Sequence, residues 1–339
     1  MRLITPVLAA AAALAFGSVG AAEAQTLKAV QDRGKLVCGV SQGVAGFSIK
    51  DDKGEWSGFD VDFCRALAAA IFNDPGKVEY VPLSAADRFG ALRDKKIDVL
   101  SRNSTWTMGR EEDANLLFAG VTYYDGQAFM VPKSRNATSA LELDGAKVCV
   151  QKGTTSEPNA KDFFDSNHVN FEIVEADTVA ELVTNYLAGK CNVMTTDESA
   201  LFALRSQFPK PAEHAILPDV ISKEPLGPVV RQDDAQWFNI VKWVNYALLD
   251  AEEMGVSSKT IDEALNSQKP EVKRLVGTEG DFGKPLGLTN AWAANAIRTV
   301  GNYGEIFDRN VGVHTKLAIP RGLNELWNNG GILYAPPIR

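Results

Sequence analysis

Residues 78–99 read VEYVPLSAADRFGALRDKKIDV, and residues 171–193 read FEIVEADTVAELVTNYLAGKCNV. Each segment starts and ends with a short apolar run, and its middle has apolar residues at helical spacing, which predicts a strand, a helix and a strand. In the first segment the helix is predicted over residues 85–94, opened by a capping box of Ser84 and Asp87. Because helical crossovers join parallel strands, both segments predict an α/β fold with mostly parallel sheets flanked by helices.

The same alternation continues on the N-terminal side of each segment. A strand over residues 35–40 and a helix over residues 61–73, with Asp60 as its N-cap, precede the first segment. A strand over residues 147–151 and a helix from about Ser156 precede the second. The chain therefore predicts two lobes of similar build, with the functional edge at the carboxyl ends of the parallel strands.

Two extended stretches, residues 121–133 and 226–231, connect the predicted lobes. They indicate a two-strand hinge, where the chain crosses to the second lobe and later returns. The last hundred residues are helical and begin with an amphipathic helix over residues 234–253. The predicted division is a signal peptide (1–24), lobe 1 with a helical C-terminal extension (25–130 and 231–339) and lobe 2 (131–230).

The composition limits the partners of this protein. The chain has 339 residues, 45% of them apolar, with 35 Lys and Arg against 43 Asp and Glu and a net charge of -8. That charge disfavours nucleic acid as a partner. The three histidines are isolated, and the sequence contains no C-x-x-C, no G-x-G-x-x-G and no phosphate-loop lysine motif. We therefore expect neither a metal nor a cofactor.

The N-terminal residues predict export. Arg2 precedes an Ala-rich apolar run that ends in Ala22-Glu23-Ala24, the layout of a signal peptide cleaved before Gln25. A membrane anchor is the alternative, which Pro6 and two glycines inside the run disfavour. No later stretch of the sequence is apolar and long enough to span a bilayer.

Export to an oxidising compartment allows the four cysteines to pair. Sequence order favours Cys38 with Cys64 and Cys149 with Cys191, because each bridge then lies within one lobe and leaves the hinge free. Four buried free thiols are the alternative.

One sequence motif of hydrolases occurs without the context that a catalytic serine needs. Residues 39–43 fit G-x-S-x-G, but the sequence that follows does not start a helix, and no histidine stands in a distinctive setting. Both would be needed for a hydrolase serine. The glycines are more typical of a loop whose backbone approaches a ligand.

Polar residues follow the predicted strands of both lobes. Residues 101–110 supply hydroxyls, an amide and the guanidinium of Arg110, residues 153–156 open a helix, and Asp197 stands at the end of a strand. Each feature alone is equally typical of a surface loop or a helix cap. Together they can complement the α-carboxylate and the α-ammonium of one small molecule.

Several of these motifs occur in the order seen in a known family. They are Phe47, Gly58-Phe59-Asp60-Val61-Asp62, the Ser/Thr run ending at Arg110, Gly153-Thr154-Thr155-Ser156-Glu157 and Thr196-Asp197-Glu198. Over about residues 27–250 the chain resembles the periplasmic solute-binding proteins of polar amino-acid ABC transporters. Residues 300–307 and 334–337 resemble the longer branch that binds L-amino acids broadly. The resemblance implies a type II periplasmic-binding-protein fold, a periplasmic monomer, an L-amino-acid ligand and an inner-membrane ABC permease as partner.

The resemblance also implies roles for individual residues. Arg110 would fork onto the ligand carboxylate, helped by Thr155 and the adjoining Thr154, while Asp197, Asn103 and Thr105 would accept from the ammonium. Weaker candidates for the side-chain pocket are Phe47, Trp106, Arg88 and Tyr124. Many relatives with narrow specificity for basic or aromatic ligands place an aromatic residue where this chain has Val44. That difference favours a pocket that recognises the backbone zwitterion.

The implied mechanism is closure of the two lobes around the ligand. An enzyme on the same fold, a periplasmic dehydratase of the cyclohexadienyl type, is the alternative, and it would need a general acid or base such as Asp197. A sensor ectodomain is a further alternative, and it would require a membrane-spanning segment.

Overall fold

The computed structural model describes residues 25–112 and 114–339. The predicted signal peptide, residues 1–24, lies outside the described residues. The strands are β1 (Leu36–Val40), β2 (Ile49–Lys50), β3 (Trp56–Ser57), β4 (Val78–Pro82), β5 (Val99–Leu100), β6 (Leu116–Phe118), β7 (Tyr123–Asp125), β8 (Gln127–Pro132), β9 (Ala146–Gln151), β10 (Phe171–Ala176), β11 (Val193–Asp197), β12 (His214–Ile216), β13 (Glu224–Leu226) and β14 (Val229–Arg231).

The helices carry the remaining regular structure of the described ranges. They are α1 (Gln25–Arg33), α2 (Phe59–Phe72), α3 (Arg88–Arg93), α4 (Met108–Glu112), α5 (Ser156–Ser166), α6 (Val179–Leu187), α7 (Glu198–Ser206), α8 (Ala235–Glu253), α9 (Ile261–Ala264), α10 (Pro270–Val276), α11 (Trp292–Val300) and α12 (Tyr303–Asn310). None of these helices combines the length and the apolar character needed to cross a bilayer.

The described residues form two five-stranded sheets of the same layout. The first has the order β4-β1-β5-β14-β6, and the second has the order β10-β9-β11-β8-β12. In each sheet four strands run in one direction, and a single strand, β14 or β8, runs against its two neighbours. The predicted α/β class with mostly parallel sheets is confirmed. Each reversed strand is the first one that the chain adds after it crosses between the sheets. This strand is β8 on the way to the second sheet and β14 on the way back to the first.

The connection between the sheets is shorter than predicted. Strands β7 and β13 pair antiparallel, with Tyr124 opposite Pro225. Most of the rest of the two predicted hinge stretches belongs to the sheets, because β8 pairs with β11 and β14 pairs with β5 and β6. The predicted boundaries at residues 130 and 230 therefore each fall inside a strand.

Two predicted helix starts differ from the structure. Helix α2 begins at Phe59 with Gly58 as N-cap, where φ is +131° and an added Cβ would lie 2.1 Å from the Phe47 carbonyl oxygen. Asp60 is thus in the first turn, which frees its carboxylate for other contacts. Helix α3 begins at Arg88, not at residue 85, because the backbone N–H of Asp87 donates to the Ser84 hydroxyl (3.1 Å) and holds residues 85–87 as a turn.

The C-terminal extension packs on the first sheet's helices and reaches the hinge. Helix α11 packs against α2, and the Tyr303 hydroxyl donates to the Thr122 carbonyl (2.9 Å). The side-chain amide of Asn324 accepts from the Tyr124 N–H (2.7 Å) and donates to the Tyr124 carbonyl (2.9 Å). Asn324 therefore occupies the free edge of hinge strand β7.

Each disulfide lies within a single sheet and its helices, one bridge in each half. Cys38 in β1 is bonded to Cys64 in α2, and Cys149 in β9 is bonded to Cys191 just before β11. This is the pairing that sequence order favours. The bridges close segments of 26 and 42 residues, and neither crosses the hinge.

Replacing either cysteine pair by alanine should lower the free energy of unfolding by about 3 to 4 kcal/mol, because each bridge restricts the unfolded chain. Urea unfolding of the two double variants measures the loss. In each double variant, dithiothreitol should reduce only the bridge that remains. Unfolding midpoints equal to that of the oxidised wild-type protein would contradict the structural role.

Candidate ligand-binding cleft

A cleft lies between the carboxyl ends of the two sheets. Its walls include seven of the ten predicted ligand-binding residues: Arg88, Asn103, Thr105 and Arg110 from the side of the first sheet, and Thr154, Thr155 and Asp197 from the side of the second. The two sides touch in this structure, since the Thr105 and Thr155 hydroxyl oxygens are 3.5 Å apart.

The loop after β5 forms the first wall. The Asp60 carboxylate holds this loop by accepting from the Ser101 hydroxyl (3.1 Å) and from the Asn103 backbone N–H (3.0 Å). Arg110, on α4, turns back and donates to the Thr105 carbonyl (2.8 Å), which fixes one edge of its guanidinium. Its remaining N–H groups are available to the cleft.

The turn after β9 and the start of α5 form the second wall. Gly153 has φ +73°, and an added Cβ would lie 3.3 Å from the Ala86 backbone of the opposite wall. The Thr154 hydroxyl donates to the Gln151 carbonyl (2.7 Å) and accepts from the Ser156 N–H (3.3 Å). This arrangement directs the N-terminus of α5, an 11-residue helix, toward the cleft.

Asp197 ends β11 and is buried in the second wall. Burial raises the pKa of its carboxyl group well above the ordinary value, and the carboxyl groups of Asp125 and Glu224 act in the same direction. The guanidinium groups of Arg110 and Arg88 oppose that rise. A ligand cation at this position would add to their effect and favour the ionised form.

Glu224, which sequence reasoning missed, links both walls to the hinge. This buried residue of β13 accepts from Thr105 (2.5 Å) on one wall, from Thr155 (2.9 Å) and Asn159 (2.8 Å) on the other, and from Ser222 (2.6 Å). In the sequence, Glu224 is visible only as an acidic residue before a proline in an extended stretch. An ordinary surface residue gives the same signal.

The first wall is rich in guanidinium groups. Besides Arg110, the buried residues Arg88 and Arg102 line the cleft, and Arg102 was not predicted. The Nε of Arg102 donates to the Leu83 carbonyl (2.9 Å), and burial lowers the pKa of Arg102 to about 10. The cleft is therefore a cationic site in a protein whose net charge is -8.

Three predicted residues lie away from the cleft because their side chains turn elsewhere. Phe47 is in the core, edge-on to Tyr123 (5.4 Å between ring centroids). Trp106 stacks on Phe118 (5.7 Å). Tyr124 lines a surface groove beside the C-terminal extension. Position next to a cleft loop did not determine the direction of these side chains.

The structure supports no hydrolase site at the G-x-S-x-G sequence. The Ser41 hydroxyl is buried and bonded to the Ser48 hydroxyl (2.6 Å), and no helix follows it directly. Across the described residues, no group of three or more His, Cys, Asp or Glu side chains could hold a metal ion.

Both the sequence and the fold of this chain match those of known proteins. The family of bacterial extracellular solute-binding proteins, family 3, matches residues 36–266, and the chain belongs to this family. This match confirms the resemblance seen in the sequence. The observed architecture is the type II periplasmic-binding-protein fold that the resemblance implies.

Similar proteins match nearly the whole chain. The general L-amino acid-binding periplasmic protein AapJ of Rhizobium johnstonii is 54% identical over 97% of both chains. The glutamate/glutamine/aspartate/asparagine-binding protein BztA of Rhodobacter capsulatus is 49% identical over 96% of this chain and 98% of its own. A periplasmic binding protein from Brucella ovis, solved with glutathione bound, superposes with a TM-score of 0.91 at 48% identity, over 93% of this chain and 99% of its own.

These relatives confirm the predicted periplasmic location. The dehydratase alternative corresponds to a distant structural neighbour, an ancestral amino-acid-binding protein described as a precursor of cyclohexadienyl dehydratase. That protein is 28% identical, with a TM-score of 0.58 over 70% of this chain and 98% of its own.

The buried Asp60 predicts an unusual pH dependence of stability. Burial raises its pKa from 3.8 to about 7, so between those two pH values the folded chain binds a proton that the unfolded chain lacks. Between about pH 8 and pH 6, wild type should gain about 1 kcal/mol more stability than Asp60→Asn. Urea unfolding at both pH values measures the difference, and equal pH dependence in the two proteins would refute the assignment.

Proposed function

We propose that the cleft binds an L-amino acid by its α-carboxylate and α-ammonium groups, and that the protein delivers it to an inner-membrane ABC permease. The observation that carries this proposal is the placement of two opposite charges on facing walls of the cleft. The Arg110 guanidinium is held on one wall, and the Asp197 carboxylate stands on the other. The names of the relatives AapJ and BztA support the same ligand class.

The carboxylate end of the ligand would lie between Arg110 and the N-terminus of α5. Arg110 offers a planar pair of donors to a carboxylate, and the helix N-terminus, with Thr154 and Thr155, adds donors and a favourable dipole. In this structure the Thr155 hydroxyl donates to Glu224. Ligand binding would redirect it to the carboxylate.

The ammonium end would lie against Asp197, Asn103 and Thr105. The Asn103 side-chain oxygen is buried and accepts no hydrogen bond from the described residues, which leaves an acceptor for a ligand cation. Thr105 donates its proton to Glu224, so its oxygen lone pairs remain free to accept. All three groups are therefore set as acceptors.

The two sheets would form the cores of two lobes that close on the ligand. Sheet membership divides the chain into residues 25–125 with 227–339, and residues 126–226, with β7 and β13 as the hinge. A ligand that contacts both walls binds the closed form better and shifts the population toward it. We propose that the permease recognises this closed form and that the protein acts as a monomer.

We propose binding without catalysis. Asp197 is the cleft carboxyl group that could serve as a general acid or base, but it stands opposite Arg110 and is suited to be a fixed partner for an ammonium group. The relatives of about 50% identity are named as transporter binding proteins.

Arg110→Met should weaken the binding of L-amino acids about 100-fold or more, because it removes a bidentate charge-assisted contact. The melting temperature should not fall, since burial already disfavours the Arg110 charge and lowers its pKa. A thermal-shift screen of the standard L-amino acids, followed by calorimetry on those that bind, measures both effects.

Arg93→Met is the matched control, because Arg93 is exposed and its loss changes the net charge equally. It should bind like the wild-type protein. Wild-type affinity in Arg110→Met would overturn the assignment of the site.

A further inference from the structure

We infer that Arg88 binds a second anionic group of the ligand, distinct from the α-carboxylate, and that the preferred ligands are L-amino acids with an acidic side chain. The inference rests on the proposed function, because it assumes that Arg110 and Asp197 hold the backbone of an amino acid. The inference concerns the side chain of the ligand, which the contacts to its α-carboxylate and α-ammonium groups leave undefined.

The Arg88 guanidinium is buried in the cleft wall with most of its donors unused. The residue is 2% exposed, and it begins α3. Within the described part of the chain its one hydrogen bond is a long one, from Nη2 to the Gly153 carbonyl (3.3 Å), and its buried Nε has no partner. A guanidinium has five N–H donors, and burying it with so few contacts is costly unless an anion completes them.

The other two cleft arginines have different commitments. Arg110 faces the position of the α-carboxylate, and Arg102 is tied to the Leu83 carbonyl and lies beside Asp60. Arg88 is the one of the three with a buried Nε that has no hydrogen-bond partner among the described residues. It is therefore the donor available to a further ligand group.

The charges around Arg88 favour an anion. The guanidinium groups of Arg102 and Arg110 both repel it, and Asp197 attracts it more weakly. Glu224 also lies close to the cleft, but its carboxylate already accepts four hydrogen bonds. An amino acid with a neutral side chain is a zwitterion and leaves this cationic excess unchanged, whereas an acidic side chain reduces it by one charge.

The remaining wall of the cleft fits the stem of such a side chain. Apolar side chains line it: Val44, Val179, Leu182, Ala200 and Leu204. They can cover the methylene groups between the backbone and a terminal carboxylate. An acid at the end of a short apolar stem therefore matches the distribution of polar and apolar groups.

Calorimetry with L-glutamate and L-glutamine tests the inference, because the two ligands have nearly the same shape and differ in side-chain charge. Wild type should bind glutamate more tightly. Arg88→Met should weaken glutamate binding about 10- to 100-fold and change glutamine binding by less than about threefold. L-Aspartate and L-asparagine provide a second pair, and Arg93→Met, on the same helix, is the charge-matched control.

Folding of the variant is checked by its melting temperature, which should equal or exceed that of wild type, because methionine replaces a poorly paired buried charge. An equal loss of affinity for glutamate and glutamine would overturn the inference. It would mean that Arg88 acts only by joining the two walls, through its hydrogen bond to Gly153. Wild type that binds glutamine as tightly as glutamate would also overturn it, while the proposed function stands. Wild type that binds no amino acid in the screen would overturn the proposed function itself.

Discussion

The whole cleft depends on a very short connection between the two sheets. Strands β7 and β13 contribute three residues each, and the carboxyl ends of both sheets face each other across this pair. Glu224, at the start of β13, gives the connection its chemistry, because a single buried carboxylate accepts hydrogen bonds from Thr105 on one wall and from Thr155 and Asn159 on the other. This strand pair therefore also orients the hydroxyl groups of Thr105 and Thr155, for which we propose contacts with the ligand.

Charge in this protein is organised locally. The chain as a whole is acidic, yet three guanidinium groups line the cleft, those of Arg88 and Arg102 buried and that of Arg110 half-buried, and the buried Asp197 carboxyl group faces them from the opposite wall. Groups held in place at low exposure interact more strongly with a ligand than mobile surface charges do. The net charge disfavours nucleic acid as a partner, and the placement of Arg88, Arg110 and Asp197 supports the proposed zwitterionic ligand with a further acidic group.

The sequence predicted the fold and the polar ends of the strands well, because both follow from local pattern. Strand-helix-strand spacing predicted two sheets of one layout, and the polar segment that ends at Arg110 was assigned to the end of a strand. Side-chain direction is not local. Phe47 and Trp106 stand beside cleft loops but pack into the core or on Phe118. Glu224 could not be found, because its importance comes from partners more than 60 residues away along the chain, Thr155 among them.

We propose that an amino acid draws the two sheets together across this hinge. Small-angle X-ray scattering with and without saturating L-glutamate tests this closure most directly. The radius of gyration of the wild-type protein should decrease with the ligand, and that of Arg110→Met should not change. Binding of the amino acid to the wild-type protein with identical scattering curves would contradict it.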